Sequence, residues 1–437
     1  MNPFSRRRFF LNAAATAAGA AVLTPSLQAS EQEKIPPALG ELPNLSSLAR
    51  PFTNAELLAR IERARERMTA AKIDAIVLAN SSPSARYFAK LNLWGGERLW
   101  ALVIPRRGKP FLICPAFEEG RARELLEMGP FGREAEVLAW PEDESPYALL
   151  AKALGDRGLA AATVGLDENL KFFFYEGIRR AAPQLNLVSA SPVTAGCRMV
   201  KEPHEIECQR LAGRATLLVY RAVARTVKPG MTSRDVERLV GRAYKQVGFE
   251  GDASLNIDKF TALPHGSSAV QTLTEGSILM LDDGCVVEGY TSDLTRTFVL
   301  GKPTDKMRRV FEIVRQMQVA AVKAARPGAV AASVDRAARQ VAADAGFGPG
   351  FKYFTHRLGH GIGLEMHEWP YFVDHNMFGW EQEHRLEAGN VLSDEPGIYI
   401  PGEFGIRLED ELHVTADGAE LLTTQSASID EPFAGVA

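Results

Sequence analysis

Late in the chain, four carboxylates and a histidine fall inside runs that otherwise read as strands. Asp282 ends the apolar run Ile278-Leu279-Met280-Leu281, and Asp293 follows eleven residues later in Tyr290-Thr291-Ser292-Asp293-Leu294-Thr295-Arg296. Further on come Leu358-Gly359-His360-Gly361-Ile362-Gly363, Ser393-Asp394-Glu395-Pro396-Gly397-Ile398-Tyr399 and Gly405-Ile406-Arg407-Leu408-Glu409-Asp410. Burying a carboxylate in an apolar strand is unfavourable unless it is paired or metal-bound, so the pattern points to ion-pair or metal chemistry. Taken singly, each acid could equally sit on a solvated surface. An odd separation on one straight strand points two side chains to opposite faces. Asp282 and Asp293 therefore share a site only if a turn near Gly284 or Gly289 folds the segment back.

The elements that would position these residues are readable from periodicity. Strands are expected at Ile278–Asp282, Thr291–Leu300, Val391–Ile400 and Ile406–Thr415, with Arg407 and Glu409 on one side of the last and Ile406, Leu408, Leu412 and Val414 on the other. Helices are expected over Pro203 to Val227, stopped by Lys228-Pro229-Gly230, from Thr232 to Val247, from Thr304 to Arg326 and from Ser333 to Ala345. This is an α+β pattern with antiparallel strands. Upstream, Thr53 and Glu56 form a capping box before the helical spacing of Leu57, Ile61, Ala64 and Met68. Short apolar runs at Ile73–Leu78, Trp100–Ile104, Phe111–Cys114, Val164–Leu166 and Leu185–Val188 alternate with helical stretches, which indicates an α/β domain over 52–195 ahead of a second domain over 196–437. Residues 30–51, polar and with four prolines, read as a linker.

The order Asp-x-Gly, Ser-Asp-x-Thr-Arg, Gly-His-Gly-Ile-Gly, Glu-Pro-Gly-Ile-Tyr and Arg-Leu-Glu-Asp resembles the methionine aminopeptidase, prolidase and aminopeptidase P superfamily. The resemblance implies an α/β creatinase-like domain followed by a pita-bread catalytic domain. It further implies a dinuclear metal site held by Asp282, Asp293, His360, Glu395 and Glu409. This oxygen-rich set suits Mn foremost, with Co, Fe and Zn as alternatives, and two divalent cations would balance its four negative charges. His265 in Ala262-Leu263-Pro264-His265-Gly266, His367 in His367-Glu368-x-Pro370, and His356 match positions that meet substrate and the developing oxyanion in that family. Arg407 and His356 favour the prolidase and aminopeptidase P branch, hence a small peptide with proline second, cut by an Xaa-Pro aminopeptidase or, if the enzyme is restricted to dipeptides, by a prolidase. Glu395 is expected to shuttle a proton as well as to bind metal. Asp394 departs from the branch, which often carries an apolar or amide residue there, and the stretch Trp369–Trp380 is a candidate pocket wall. The other histidines, His204, His375, His384 and His413, fall outside the motifs and read as packing or surface residues. Two other readings stay open: a non-peptide amidohydrolase or lyase on the same scaffold, and a metal-bound peptide binder without turnover. The family implies a homo-oligomer.

With 437 residues, 46% apolar and 24% charged, the chain is an ordinary folded protein of two to three domains. Its net charge of −4 argues against nucleic-acid binding, which needs clustered Lys and Arg. Four scattered cysteines imply neither a disulfide scaffold nor a thiolate metal site. Residues 1–29, with Ser5-Arg6-Arg7-Arg8-Phe9-Phe10-Leu11 ahead of an apolar run too short to span a bilayer, resemble a twin-arginine signal peptide. A mature protein in the periplasm or outside the cell, with no membrane segment, is expected.

Overall fold

The computed structural model describes residues 34–374 and 383–436, so the expected export segment, His375 and Trp380 lie outside the described residues. The first domain is built on a six-stranded sheet of β1 (Ala75–Ala79), β2 (Ala101–Pro105), β3 (Phe111–Pro115), β4 (Glu136–Trp140), β5 (Thr163–Leu166) and β6 (Asn186–Ser189), ordered β4-β3-β2-β1-β5-β6. Strands β1 to β3 pair antiparallel and the outer pairs run parallel. The first three are apolar and buried along their whole length because helices cover both faces. One covering helix, Asn54–Ala71, opens with the expected Thr53–Glu56 capping box and buries Leu57, Ile61, Ala64 and Met68.

That buried stripe belongs to a core that does not stop at the domain boundary. Its neighbours include Ile76 and Leu78 of the first sheet and Ala212, Tyr220, Val240 and Tyr244 from the helices Pro203–Ala224 and Ser233–Val247. Where a linker is expected, residues 34–51 instead pack onto this core. Pro37–Gly40 is a short helix, Leu39 and Leu45 are buried, and the Leu45 N–H donates to the Val247 carbonyl at 2.8 Å. The prolines and polar residues that suggest a linker flank Leu39, Leu42 and Leu45, three apolar residues at a spacing of three that seat the segment.

The second domain holds β7 (Glu250–Gly251), β8 (Ser254–Ile257), β9 (Ile278–Asp282), β10 (Cys285–Val287), β11 (Tyr290–Thr291) and β12 (Arg296–Val299), then β13 (Gly359–Gly361), β14 (Glu368–Phe372), β15 (Val391–Asp394), β16 (Gly397–Ile400), β17 (Phe404–Arg407), β18 (Asp410–Val414) and β19 (Ala419–Leu421). They form sheets β11-β10-β7, β12-β9-β8, β14-β13-β15-β18-β19 and β16-β17, all antiparallel. A second helix pair, Asp305–Ala324 and Ala331–Asp344, packs on the later strands around Phe354, Leu392, Ile406 and Leu412. Three expected strands are each broken in two, and each break carries an acid: Asp293 between β11 and β12, Glu395 between β15 and β16, Glu409 between β17 and β18. All four cysteines are buried and none is paired. Among the described residues, no helix is long and apolar enough to cross a membrane.

Candidate active site

The chain folds back where the odd spacing requires it. Glu288 and Gly289 turn at φ 51° and 92° between β10 and β11, and β12 then pairs with β9 so that Arg296 lies opposite Leu281. Asp282 at the end of β9 and Asp293 in the returning segment thus reach one face. Glu395 leaves β15 with its N–H on the Leu358 carbonyl at 2.9 Å, and the Glu409 N–H bonds the Thr295 carbonyl at 3.1 Å. His360 sits in β13 between two glycines that permit close approach: a Cβ at Gly359 would lie 1.9 Å from the Ser393 carbonyl oxygen, and one at Gly361 2.2 Å from that of Trp369.

The five expected ligands converge. Donor atoms of His360, Glu395 and Glu409 lie within 4.8 Å of one another, as do those of Asp282, Asp293 and Glu409, and those of Asp293, His360 and His367. The His360 Nδ1–H is oriented to the Gly361 carbonyl at 3.1 Å, which leaves Nε2 as a lone pair 3.4 Å from Glu395 Oε1 and 3.7 Å from Asp293 Oδ2. Burial, reinforced by His367 and Arg357, holds His360 well below the usual imidazole range and therefore neutral. Burial, with neighbouring acids adding to it, raises Asp293 and Glu409 well above the carboxylate range, and burial with Asp282 brings Glu395 to about 7 against the pull of Arg407. Asp282 stays below its usual value, because Arg407 and the Thr295 hydroxyl outweigh burial. One oxygen of Glu409, Oε1, is buried without a partner. A neutral imidazole lone pair, crowded acids and an orphaned carboxylate oxygen fit bound cations, which would relieve the repulsion and fill the missing contact.

Around the ligands runs a hydrogen-bonded chain. Thr295 Oγ1 contacts Asp282 Oδ1 at 2.5 Å and Glu409 Oε2 at 2.7 Å, and accepts from Arg407 Nε at 3.0 Å. Arg407 Nη2 donates to Asp282 Oδ2, and Nη1 to the Pro264 carbonyl and the Tyr399 hydroxyl, each at 3.0 Å. The Tyr399 hydroxyl donates in turn to His356 Nε2 at 2.7 Å, and His356 Nδ1–H to the Arg357 carbonyl at 2.8 Å. Burial, with Arg407 adding to it, lowers His356 to about 3, as a neutral ring in this chain requires.

The two expected substrate contacts are both held by protein groups. Arg407 is 3% exposed with four of its N–H directions committed to protein, and both nitrogens of His356 are engaged. Arg407 bonds the candidate ligand Asp282 directly, and His356 is joined to Arg407 through the Tyr399 hydroxyl. His265 and His367 are the exposed histidines here: His265 follows the 3₁₀ helix Asp258–Ala262, and the His367 ring lies tilted at 59° to that of His360 with centroids 3.9 Å apart. Burial, then Arg357 and His265, lower His367 to about 4. Thr295 and Tyr399 are additions, visible in the sequence only as members of the same motifs. His204 bonds Glu56 at 2.7 Å and His413 bonds Glu420 at 3.0 Å, both away from the site. The aromatic stretch divides: Phe372 is core, whereas Trp369, with Tyr371 and His367, lines a cavity of about 440 Å³ at the domain boundary.

Residues 60–200 match the creatinase/prolidase N-terminal domain, and residues 207–416 match metallopeptidase family M24. The chain is 31% identical to an Xaa-Pro dipeptidase of Lactobacillus delbrueckii subsp. lactis over 364 residues, covering 81% of this chain and 94% of that one. This chain belongs to metallopeptidase family M24. It shares 36% identity over 331 residues with a probable dipeptidase, PepE, of Mycobacterium tuberculosis strain H37Rv, covering 74% of this chain and 83% of the relative. Its fold superposes on the crystal structure of dipeptidase PepE from Mycobacterium ulcerans with a TM-score of 0.78 at 33% identity, over 86% of this chain and 97% of that one. It is a metallopeptidase in which a creatinase-type domain precedes a pita-bread catalytic domain, and the family implies divalent metal ions.

Proposed function

We propose that this M24 enzyme is an Xaa-Pro dipeptidase with a dinuclear metal site, manganese foremost. The observation that carries the reading is the convergence of Asp282, Asp293, His360, Glu395 and Glu409, among which His360 keeps a lone pair and Glu409 an oxygen without a protein partner. Two cations held by these residues would supply Lewis acidity toward the scissile carbonyl and a water of lowered pKa. The chain supplies the rest. Glu395 takes the proton of the attacking water and returns it to the leaving amine. His265 and His367, exposed beside the ligands, donate to the oxyanion of the tetrahedral intermediate. Arg407 and Tyr399 hold Asp282 and His356 in place. Relatives named dipeptidases favour dipeptides over the longer peptides of an Xaa-Pro aminopeptidase.

Metal-loaded and chelator-stripped protein assayed on Xaa-Pro and Xaa-Pro-Xaa peptides tests this. Release of free amino acid from Xaa-Pro by the loaded form alone is expected. Full activity after stripping refutes the metal reading; a preference for Xaa-Pro-Xaa restores the aminopeptidase. No turnover on either leaves the amidohydrolase or the silent binder. We further propose a homo-oligomer, exported folded by the twin-arginine route to the periplasm or beyond. That route suits a site whose ligands, 127 positions apart in Asp282 and Glu409, assemble only on folding.

A further inference from the structure

Where the two domains meet, hydrolysis leaves a set of buried charges unused. Arg198, which ends the helix Thr194–Arg198, is 3% exposed, and the Lys201 side chain is 0% exposed. Both grip Glu368: Arg198 Nε and Nη2 donate to its Oε2, and Lys201 Nζ donates to its Oε1 at 2.6 Å. Arg198 also reaches Glu365 Oε2 at 2.5 Å, and Arg86, from the first-domain helix Pro83–Ala89, donates to the Leu364 carbonyl at 2.9 Å. Three cations from the first domain and the connection thus hold the loop between β13 and β14. The backbone is shaped for this grip. Between His360 and Gly361 the register jumps, so that Gly361 faces Glu368, and a Cβ at Gly363 would lie 2.4 Å from Glu368 Oε1 and 3.1 Å from Lys201 Cε.

Buried ion pairs are a weak route to stability, since apolar residues of similar volume often serve as well. What such a pair does fix is geometry, and the residue bonded to Glu368 in the chain is His367. We propose that Arg198 and Lys201 are positioning residues: through Glu368 they set the backbone that carries His367, so the connection between the two domains fixes the angle at which that imidazole meets the site. The inference rests on His367 acting on substrate, as proposed above.

A double-mutant cycle tests it on the manganese-loaded full chain with Xaa-Pro dipeptides. Glu368→Gln is expected to lower kcat about 10- to 100-fold, the cost of a small misplacement, with KM and metal content unchanged. In a His367→Ala background the same change is expected to cost less than about twofold. An equal loss in both backgrounds overturns the proposal, because Glu368 then acts without His367. If Glu368→Gln does not fold, Lys201→Met takes its place in the cycle under the same two criteria. If the wild type turns over no peptide, the functional reading fails by itself. Positioning is then read from the ¹⁵N resonances of the His367 ring, assigned with His367→Ala: movement or broadening in Glu368→Gln supports it, and unchanged resonances overturn it.

Discussion

Thr295→Val removes one hydroxyl and almost no volume from a position that is 0% exposed. That hydroxyl lies 2.5 Å from Asp282 Oδ1 and 2.7 Å from Glu409 Oε2, and is itself aimed by Arg407 Nε at 3.0 Å. Loss of a group that orients a metal ligand typically costs about 10- to 100-fold in metal affinity. Because two of the proposed ligands lean on this one hydroxyl, the upper end applies, about 100-fold or about 2.7 kcal/mol. The stability of the metal-free protein should fall by about 1.5–3 kcal/mol, the worth of a hydrogen bond to a charged group. Thr295→Ser keeps the hydroxyl and should bind metal within about threefold of the wild type, since the lost methyl is not a partner of either ligand. Competition with a chromophoric chelator measures the affinities, and urea unfolding in excess chelator measures the stabilities. A Thr295→Val protein that binds metal as tightly as the wild type would refute the reasoning, because Asp282 and Glu409 would then not be the atoms that hold it.

Other outcomes follow from the same geometry. Glu395→Gln should lower kcat by about 10²- to 10⁴-fold in fully loaded protein, the range for losing a general base, and a near-normal kcat would remove Glu395 from the proton path. Asp167 at the end of β5 is raised to about 7 by burial and then by Glu168, so the folded chain holds a proton there that the unfolded chain releases near 4. Wild-type stability should therefore fall by up to about 4 kcal/mol as pH rises from about 4 to about 7, whereas Asp167→Asn should lose less; urea midpoints with identical pH dependence in both would contradict this. Replacing Arg6 and Arg7 together by Lys should leave active, unprocessed enzyme in the cytoplasm, and processed protein outside such cells would show that the segment is not read as a twin-arginine signal.

The candidate ligands were legible because each sits in a family-like motif, and once Asp282 and Asp293 are taken to share a site, the parity of their spacing requires the fold-back between them. The breaks in the strands were not. Val391–Ile400 and Ile406–Thr415 keep apolar residues on both sides of Glu395 and Glu409, so periodicity reads straight through positions where the chain passes from the five-stranded sheet to the β16-β17 pair or back. At those passages the acids turn off the ladder and into the site. The same continuity put Arg407 and Glu409 on one side of a single strand, when Arg407 ends β17 and lies on Asp282 and Tyr399 while Glu409 falls in the break that follows. β4 escaped notice because its edge position leaves Glu136 exposed and its centre half-buried, without a clean alternation. Leu39 and Leu45 were masked by the prolines beside them, since composition reports flexibility in a segment whose few apolar side chains are enough to dock it.

The unpaired cysteines give the proposed export route a chemical consequence. Burial pushes the thiols of Cys114, Cys208 and Cys285 up to about 12 and that of Cys197 up to about 11, so almost no thiolate is available to attack an oxidant. An extended chain has no such protection, and its four sulfurs could be joined in three different ways by the oxidases of a bacterial periplasm. For a protein that closes before it crosses, those sulfurs are hidden before the first oxidase is met. The order of two events, closure and crossing, then decides whether the chain arrives as an enzyme or as a set of wrongly bridged isomers.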